Sequence, residues 1–177
     1  MNGFILLNNK QFAVRLLNSA DENLVQDLCE RCSDYYLLAE GRLPDKKAGH
    51  GILSDLPPGK ESSDKFVYGV FNPDNVLVAV ADIVRNYREE GEWMLGLLLI
   101  DPNERGSGLG RIIHEYIKNM VREQGGVKIR IGVLEDNIRA VKFWTGLGYS
   151  EVGRVRLTYG DKEHDVIIMN LVYNYEK

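Results

Sequence analysis

The stretch "RGSGLGR", which begins at Arg105, carries the residues best suited to bind an anion. Three glycines, Gly106, Gly108 and Gly110, alternate between two arginines. Glycine carries an entropic cost on folding, so three of them in one loop indicate that something must approach the main chain closely. Peptide N–H groups, with Arg105 and Arg111 beside them, would bind a group such as a pyrophosphate.

The elements on either side of the loop would hold it in place. Residues 92–100 are nearly all apolar toward their end, as expected of a central strand covered on both faces, and Pro102 stops that strand. After the glycines, apolar residues recur at helical spacing over 112–121. The first turn of such a helix points unpaired N–H groups outward, and the helix dipole adds partial positive charge. Strand, loop and helix start together predict an anion site.

Two common phosphate motifs do not fit the spacing. A P-loop requires G-x-x-x-x-G-K-[ST], and neither "ERGSGLGR" nor "PPGKESS" supplies it. A dinucleotide-binding fingerprint requires G-x-G-x-x-G early in a βαβ unit. Here the glycines run G-x-G-x-G and follow several strands that look antiparallel, which argues against a dinucleotide fold.

A third pattern fits the loop. The motif R-x-x-G-x-G, at Arg105, Gly108 and Gly110, resembles the acyl-CoA signature of the GCN5-related N-acetyltransferase (GNAT) superfamily, and "LLLIDP" and "NIRAVKFWTGLGY" extend the resemblance over 92–149. The resemblance implies an α/β (α+β) fold, a mixed central sheet of six to seven strands flanked by helices, in a single N-acetyltransferase domain over 1–177. It also implies acetyl-CoA as the co-substrate, without a metal ion.

The resemblance implies where acetyl-CoA would bind. In that superfamily two adjacent parallel strands splay apart, and the pantetheine arm lies between them like an added strand. Here the backbone of Leu98, Leu99 and Ile100 would bind the arm, and 128–134 would form the opposite wall. The other residues implied to contact the co-substrate are Arg105, Gly106, Ser107, Gly108, Leu109, Gly110, Arg111, Asn137 and Phe143.

The catalytic acid departs from the family pattern. A tyrosine that often protonates the leaving sulfur would align with Trp144, whose indole N–H donates a hydrogen bond but no proton near neutral pH. Either Asn137 and a water molecule polarise the sulfur, or a tyrosine from elsewhere serves. Tyr35 and Tyr36 are candidates without positional support, whereas Tyr149 is expected to pack in the core.

The catalytic base departs as well. A glutamate that some members use would align with Met94, and Glu92 lies two residues earlier, on the same strand face. We therefore expect Glu92 to accept the proton of the amine, directly or through water, although a solvated acid at a strand start is the simpler interpretation. A backbone N–H near Leu99 or Ile100 would stabilise the oxyanion.

Composition limits the partners. The chain has 177 residues and a formal charge of −4, which gives no general attraction to nucleic acid or to anionic membranes. The early apolar run at 4–7 is too short to span a bilayer. We expect a cytoplasmic monomer or homodimer, with a small-molecule or peptide amine as acceptor and the segment 41–64 beside the acceptor site.

The alternative function is a non-catalytic acyl-CoA binding or sensing module, because both catalytic positions depart from the family pattern.

The two cysteines, Cys29 and Cys32, have the spacing of a redox pair or of half a zinc site. No second pair of ligands accompanies them, and they lie in a run with helical periodicity. They are therefore interpreted as two partly buried thiols on one helix face.

Overall fold

The structure is a computed structural model that describes residues 3–173. Its centre is a mixed sheet of eight strands in the order β1-β2-β3-β4-β5-β6-β8-β7. The strands are β1 (Gly3–Leu7), β2 (Lys10–Leu16), β3 (Lys65–Phe71), β4 (Leu77–Val84), β5 (Glu92–Ile100), β6 (Lys128–Leu134), β7 (Ser150–Tyr159) and β8 (Lys162–Val172). The mixed sheet is confirmed, but the expected count of six to seven strands is wrong by β1, which pairs with β2 through a tight turn at Asn8 and Asn9.

Helices cover both faces of this sheet. They are α1 (Glu22–Arg31), α2 (Ser33–Ala39), α3 (Ala48–Ser54), α4 (Leu109–Glu123) and α5 (Ile138–Gly146). Helices α4 and α5 pack on one face, where Ile113 and Trp144 join a core with Ala81 of β4. Helices α1 and α2 pack on the other face, where Leu28 meets Val80. No helix within residues 3–173 is long and apolar enough to cross a membrane.

The centre of the sheet is opened by a local irregularity. Strands β4 and β5 are antiparallel, and their register shifts between Asp82 and Ile83, which leaves Gly96 of β5 without a partner. The parallel pairing of β5 with β6 ends at Met94 opposite Arg130. Beyond that point the two strands separate, as the splayed pair predicted from the resemblance requires.

The tip of the β7–β8 hairpin holds the C-terminal end of α2. The Lys162 ammonium donates to Leu37 O at 3.0 Å, and His164 Nε2 donates to Ala39 O at 2.8 Å. The Asp161 N–H donates to Glu40 O at 2.9 Å. Because the last carbonyls of a helix have no partners within it, these contacts fix the helix end and hence the side chains that α2 directs toward the sheet.

Candidate functional site

A cavity of about 630 Å³ lies where β5 and β6 separate. Strand residues 95–100 and 131–134 form its walls, the glycine loop closes one end, and helices α2 and α5 contribute further side chains. The sequence-predicted residues that line it are Leu98, Leu99, Ile100, Arg105, Gly106, Gly108, Gly110, Arg111, Asn137, Phe143 and Trp144. The structure thus brings most of the predicted site together, while Glu92, Ser107 and Leu109 are not part of this lining.

The free edge of β5 presents backbone groups of alternate residues. The Asp101 N–H donates to Val78 O at 2.8 Å, and Leu99 is the register partner of Val80. Hydrogen bonds in an antiparallel ladder alternate, so Leu99 also directs its N–H and C=O to β4. The backbone groups of Leu98 and Ile100 therefore face the cavity. The expectation that the Leu99 backbone binds the pantetheine arm is therefore wrong, because this register turns its N–H and C=O toward β4.

One of those groups is already occupied. The Ile100 carbonyl accepts hydrogen bonds from Arg105 Nε at 2.8 Å and from Cys32 Sγ at 3.4 Å. What remains for a ligand on this edge is the N–H of Ile100 and both backbone groups of Leu98. These three groups match the requirement of an extended amide-containing chain for alternating donors and acceptors.

The glycine loop adopts backbone conformations that favour glycine. Gly106 and Gly108 have φ values of +78° and +98°, and α4 begins directly after them. Within residues 3–173 the N–H groups of Gly106, Gly108 and Gly110 have no acceptor at hydrogen-bonding distance and angle. Three free main-chain donors at a helix N-terminus have the geometry and the dipole that suit an anion.

The third glycine has a packing role as well. A Cβ atom at Gly110 would lie 3.1 Å from Ile100 Cδ1 and 3.2 Å from Phe143 Cζ. The glycine therefore allows α4 to approach both β5 and α5. Phe143 thus lies against the loop at this end of the cavity.

Ser107 and Leu109 serve the loop itself. Ser107 Oγ donates to Glu104 O at 2.7 Å and accepts from the Leu109 N–H at 3.3 Å. The Leu109 side chain is buried in the core. The Leu109 N–H is thus already occupied within the loop, whereas the expected contact of the Ser107 main chain with the co-substrate stays a prediction.

The two arginines of the motif differ in their surroundings. Arg105 forms a two-pronged ion pair with Asp34 of α2, in which Nη2 lies 3.1 Å from Oδ1, and these hydrogen bonds hold the pKa of Asp34 below its ordinary value. The Arg111 side chain is exposed and forms no ion pair within the described chain. The free positive charge beside the glycines is therefore that of Arg111. Arg139 of α5 also lines the cavity, a position to which no sequence motif pointed.

Helix α5 supplies an amide and an aromatic wall. Asn137 Oδ1 accepts the Ala140 N–H at 3.1 Å and so caps the helix, which leaves its Nδ2 hydrogens free to donate into the cavity. Trp144 packs edge-on against Phe143, with ring centroids 4.8 Å apart. Tyr149 is buried behind Trp144, which matches the expected core role.

Glu92 lies at the closed end of the strand pair. Its carboxylate is buried, and Oε2 lies 3.0 Å from Lys128 Nζ. Glu92 and Lys128 are partners in the parallel register, two residues before the strands separate. The expectation that Glu92 serves as the base is corrected, because this pairing directs its side chain to β6 and away from the cavity.

Helix α2 brings residues whose role the sequence did not locate. Asp34, Tyr35 and Leu38 line the cavity, and Tyr35 is the single tyrosine among its lining residues in the described chain. Burial raises the pKa of Tyr35 to about 12, so the phenol keeps its proton at neutral pH. Tyr36, by contrast, is buried against Cys29. Only the tertiary position of α2 separates the two tyrosines.

The segment 41–64 and the cysteines contribute no lining residues. Helix α3 packs on α1, where the Gly49 N–H donates to Gln26 Oε1 at 2.9 Å, and the expected position of 41–64 beside the acceptor site stays a prediction. Cys29 and Cys32 are free buried thiols, and burial raises the pKa of Cys29 to about 11. Within residues 3–173 no group of His, Cys, Asp and Glu side chains forms a candidate metal site.

Comparison with solved structures shows the same fold. An acetyltransferase from Thermus thermophilus superposes with a TM-score of 0.72 at 20% identity, covering 96% of this chain and 100% of that one. A probable acetyltransferase from Staphylococcus epidermidis gives 0.71 at 20% identity, covering 92% and 99%. The ribosomal-protein-S18-alanine N-acetyltransferase of Escherichia coli gives 0.70 at 18% identity, covering 94% and 96%. A search of curated proteins finds no match.

The sequence itself assigns the family. The model of the Acetyltransferase (GNAT) family matches residues 44–149, which is more than half of the chain and includes β3 to β6 with the glycine loop and α5. With the open strand pair and the glycine loop at its end, this match shows that the chain belongs to the GNAT acetyltransferase family.

Proposed function

We propose that this protein transfers the acetyl group of acetyl-CoA to the primary amine of a small molecule or peptide, by direct attack in a ternary complex. The observation that carries the proposal is one continuous cavity. At one end it has main-chain donors for a pyrophosphate, and along its wall it has an unpaired strand edge. A nucleotide whose pyrophosphate carries a long amide-containing arm would fit such a cavity, with the pyrophosphate on the main-chain donors and the arm along the strand edge.

Different residues of the cavity would bind different parts of acetyl-CoA. We assign the pyrophosphate to the N–H groups of Gly106, Gly108 and Gly110, with Arg111 as the free charge. The arm would leave the loop along β5, so its amides would pair with the Ile100 N–H and the Leu98 carbonyl. The Leu98 N–H, which lies farther from the loop, then remains as the donor for the oxyanion of the tetrahedral intermediate, which preformed donors stabilise strongly because they need no reorganisation.

The leaving sulfur needs a proton or a hydrogen bond. Asn137, whose Nδ2 is a free donor, and Tyr35, whose phenol keeps its proton at neutral pH, both line the cavity. We propose that Tyr35 supplies the proton and that Asn137 orients the thioester, while Trp144 and Phe143 form the apolar wall. Trp144 itself does not act as the acid, because an indole N–H does not ionise near neutral pH.

The acceptor would enter from the face of the sheet that α1 and α2 cover. The Escherichia coli relative is named for an alanine of ribosomal protein S18, so a protein amino terminus belongs in the acceptor panel with polyamines and aminoglycosides. A cytoplasmic monomer or homodimer without a nucleic-acid partner remains our expectation. The substitution of Trp144 for the usual tyrosine also keeps the second candidate, an acyl-CoA sensing module.

Two measurements test the proposal together. Isothermal titration with coenzyme A measures binding, and thiol release from acetyl-CoA across the amine panel, with mass spectrometry of the product, measures transfer. The proposal expects binding, with thiol and acetylated amine formed in equal amounts for at least one amine class. Binding without turnover on every amine would favour the sensing module, and an absence of binding would contradict both candidates.

A further inference from the structure

A carboxylate outside the cavity lining lies next to the point where the strands separate. Asp82 is on β4, opposite Leu97, at the irregularity that leaves Gly96 unpaired. A Cβ atom at Gly96 would lie 3.9 Å from Asp82 Oδ2 and 3.9 Å from Met94 Cε. Gly96 lines the cavity. Because it has no side chain, nothing of that residue stands between the Asp82 carboxylate and the cavity.

The carboxylate belongs to the acceptor face of the sheet. Asp82 alternates with Ala81 and shares its face with Val80, whose side chain packs with α1. The glycine loop leads into α4, which packs on the opposite face. The co-substrate loop and Asp82 therefore lie on opposite faces of the sheet. An amine that attacks the thioester from the α1–α2 face would pass Asp82.

The two oxygens of Asp82 have different surroundings. Oδ1 accepts a hydrogen bond from Lys65 Nζ at 2.7 Å, and Lys65 also donates to Asp55 O at 2.8 Å. The Lys65 side chain is only 5% exposed and that of Asp82 is 19% exposed. Lys65 of β3 thus fixes the carboxylate through one oxygen, while the other, Oδ2, faces Gly96.

The environment also tunes the acidity of Asp82. Burial raises the pKa of Asp82 above its ordinary value, the hydrogen bond and charge of Lys65 oppose that rise, and the charge of Asp55 adds to it. Lys65 and Asp55 are the charged groups that act on Asp82 here. A carboxylate with a raised pKa is a better proton acceptor than an exposed one.

We propose that Asp82 is the general base that takes a proton from the acceptor amine, directly or through one water molecule. This inference rests on the proposed acetyl transfer. The ammonium form of the acceptor gives one proton to Asp82, and the neutral nitrogen attacks the carbonyl carbon. The C–N bond forms first and gives the tetrahedral intermediate, and the C–S bond breaks when that intermediate collapses. The second proton lost from nitrogen balances the proton gained by the thiolate. Asp82 releases its own proton to solvent after the turnover.

The same geometry defines an acceptor class. An anionic Asp82 at the entrance attracts an amine that arrives protonated, and an acceptor carboxylate next to the amine would be repelled. We therefore expect cationic amines without an adjacent carboxylate, such as polyamines or peptide amino termini, to have a higher kcat/KM than free α-amino acids.

The experiment compares Asp82→Asn with Asp64→Asn across pH. Asp64 is the matched control, because its side chain is 20% exposed and also pairs with a basic residue, but it is not among the atoms next to Gly96 of the cavity. Asp82→Asn should lower kcat/KM by about 100-fold and remove its acid limb, which is the fall of kcat/KM at low pH that protonation of the base causes. The Kd of coenzyme A should change by less than about twofold. The control should keep both the rate and the limb. A wild-type rate and limb in Asp82→Asn would overturn the inference.

A second variant keeps the test valid if Asp82→Asn does not fold. Lys65→Gln leaves the carboxylate in place and removes the cation that holds its pKa down. The acid limb of kcat/KM should then move to higher pH. An unmoved limb would contradict the role of Asp82. Measurements on the wild type separate the proposed function from the role of Asp82. If the wild type binds coenzyme A and transfers acetyl groups, unexpected results with these variants contradict the role of Asp82 alone.

Discussion

Arg105, the first residue of the glycine motif, is bound to Asp34 of α2, with Nη2 3.1 Å from Oδ1. Its Nε simultaneously donates to the carbonyl of Ile100 at 2.8 Å. One side chain therefore connects the helix on the acceptor face, the end of β5 and the start of the loop. Arg105 is a structural link between the two halves of the cavity, and its charge is largely compensated by Asp34.

The two arginines should therefore differ when each is replaced. Arg111→Ala should raise the Kd of coenzyme A by about tenfold and reduce its salt dependence, because a free guanidinium beside a phosphate contributes about 1.4 kcal/mol or more. Arg105→Ala should mainly lower the melting temperature. Titrations of both variants at two salt concentrations measure this. Equal losses of affinity would show that Arg105 also contacts the phosphates.

Tyr35→Phe should lower kcat by about 10- to 100-fold, because the variant lacks the phenol that would protonate the leaving thiolate. The Kd of coenzyme A should stay within about twofold. Tyr36→Phe is the matched control, since it removes the hydroxyl of the neighbouring residue, which is absent from the cavity lining. A Tyr35→Phe enzyme with wild-type turnover would assign the proton to Asn137 and water instead.

His114 should make folding stability depend on pH. This residue of α4 is buried against Tyr149, with Nε2 3.1 Å from the hydroxyl, and burial lowers its pKa from 6.5 to about 4. Between these values the unfolded chain binds a proton that the folded protein does not bind. Stability is therefore complete above pH 6.5 and falls as the pH drops toward 4, by at most about 3 kcal/mol.

Denaturant unfolding at pH 7 and pH 4.5 checks this contribution. In His114→Gln the difference in unfolding free energy between the two pH values should be smaller than in the wild type by up to about 3 kcal/mol. An identical difference in both proteins would mean that His114 does not contribute to acid destabilisation.

Glu92→Gln should affect the fold and not the chemistry. The substitution removes the charge of a buried carboxylate from its pair with Lys128, but Lys128 is partly exposed and keeps Glu89 as a partner, so the loss of stability should be only about 1 kcal/mol. We expect a lower melting temperature with an unchanged acid limb of kcat/KM. Loss of that limb would restore Glu92 as the base.

Much of the central fold is readable from the sequence because its signals are local. The apolar run of β5, its stop at Pro102 and the helical periodicity of α4 are each decided by nearby residues. Strand β1 carries a weaker signal, because Phe4 and Leu6 are exposed and only Ile5 among them is buried. Its turn is made by Asn8 and Asn9, whose positive φ values suit a two-residue hairpin.

The candidate site depends more on contacts between residues that are distant in sequence, so less of it is readable from local patterns. Glycines of the loop follow from their spacing, but the partner of Arg105 lies 71 positions away in sequence, on a helix that only the folded chain brings near. Asp82 had one local signal, since it is a lone carboxylate within the apolar strand "VLVAVADIV". Its proximity to Gly96 depends on a register shift between two strands, and although an isolated glycine in a strand is a signal of a bulge, it does not say which residue of the neighbouring strand lies opposite.

The central claim, that main-chain donors of the glycine loop bind the pyrophosphate of coenzyme A, is tested by titration of Gly108→Val and Gly125→Val. Both glycines have positive φ and no close backbone neighbour, and they flank the two ends of α4, so both variants introduce comparable strain. We predict that the Kd of coenzyme A rises at least about tenfold in Gly108→Val and stays at the wild-type value in Gly125→Val. Wild-type affinity in folded Gly108→Val would contradict the account.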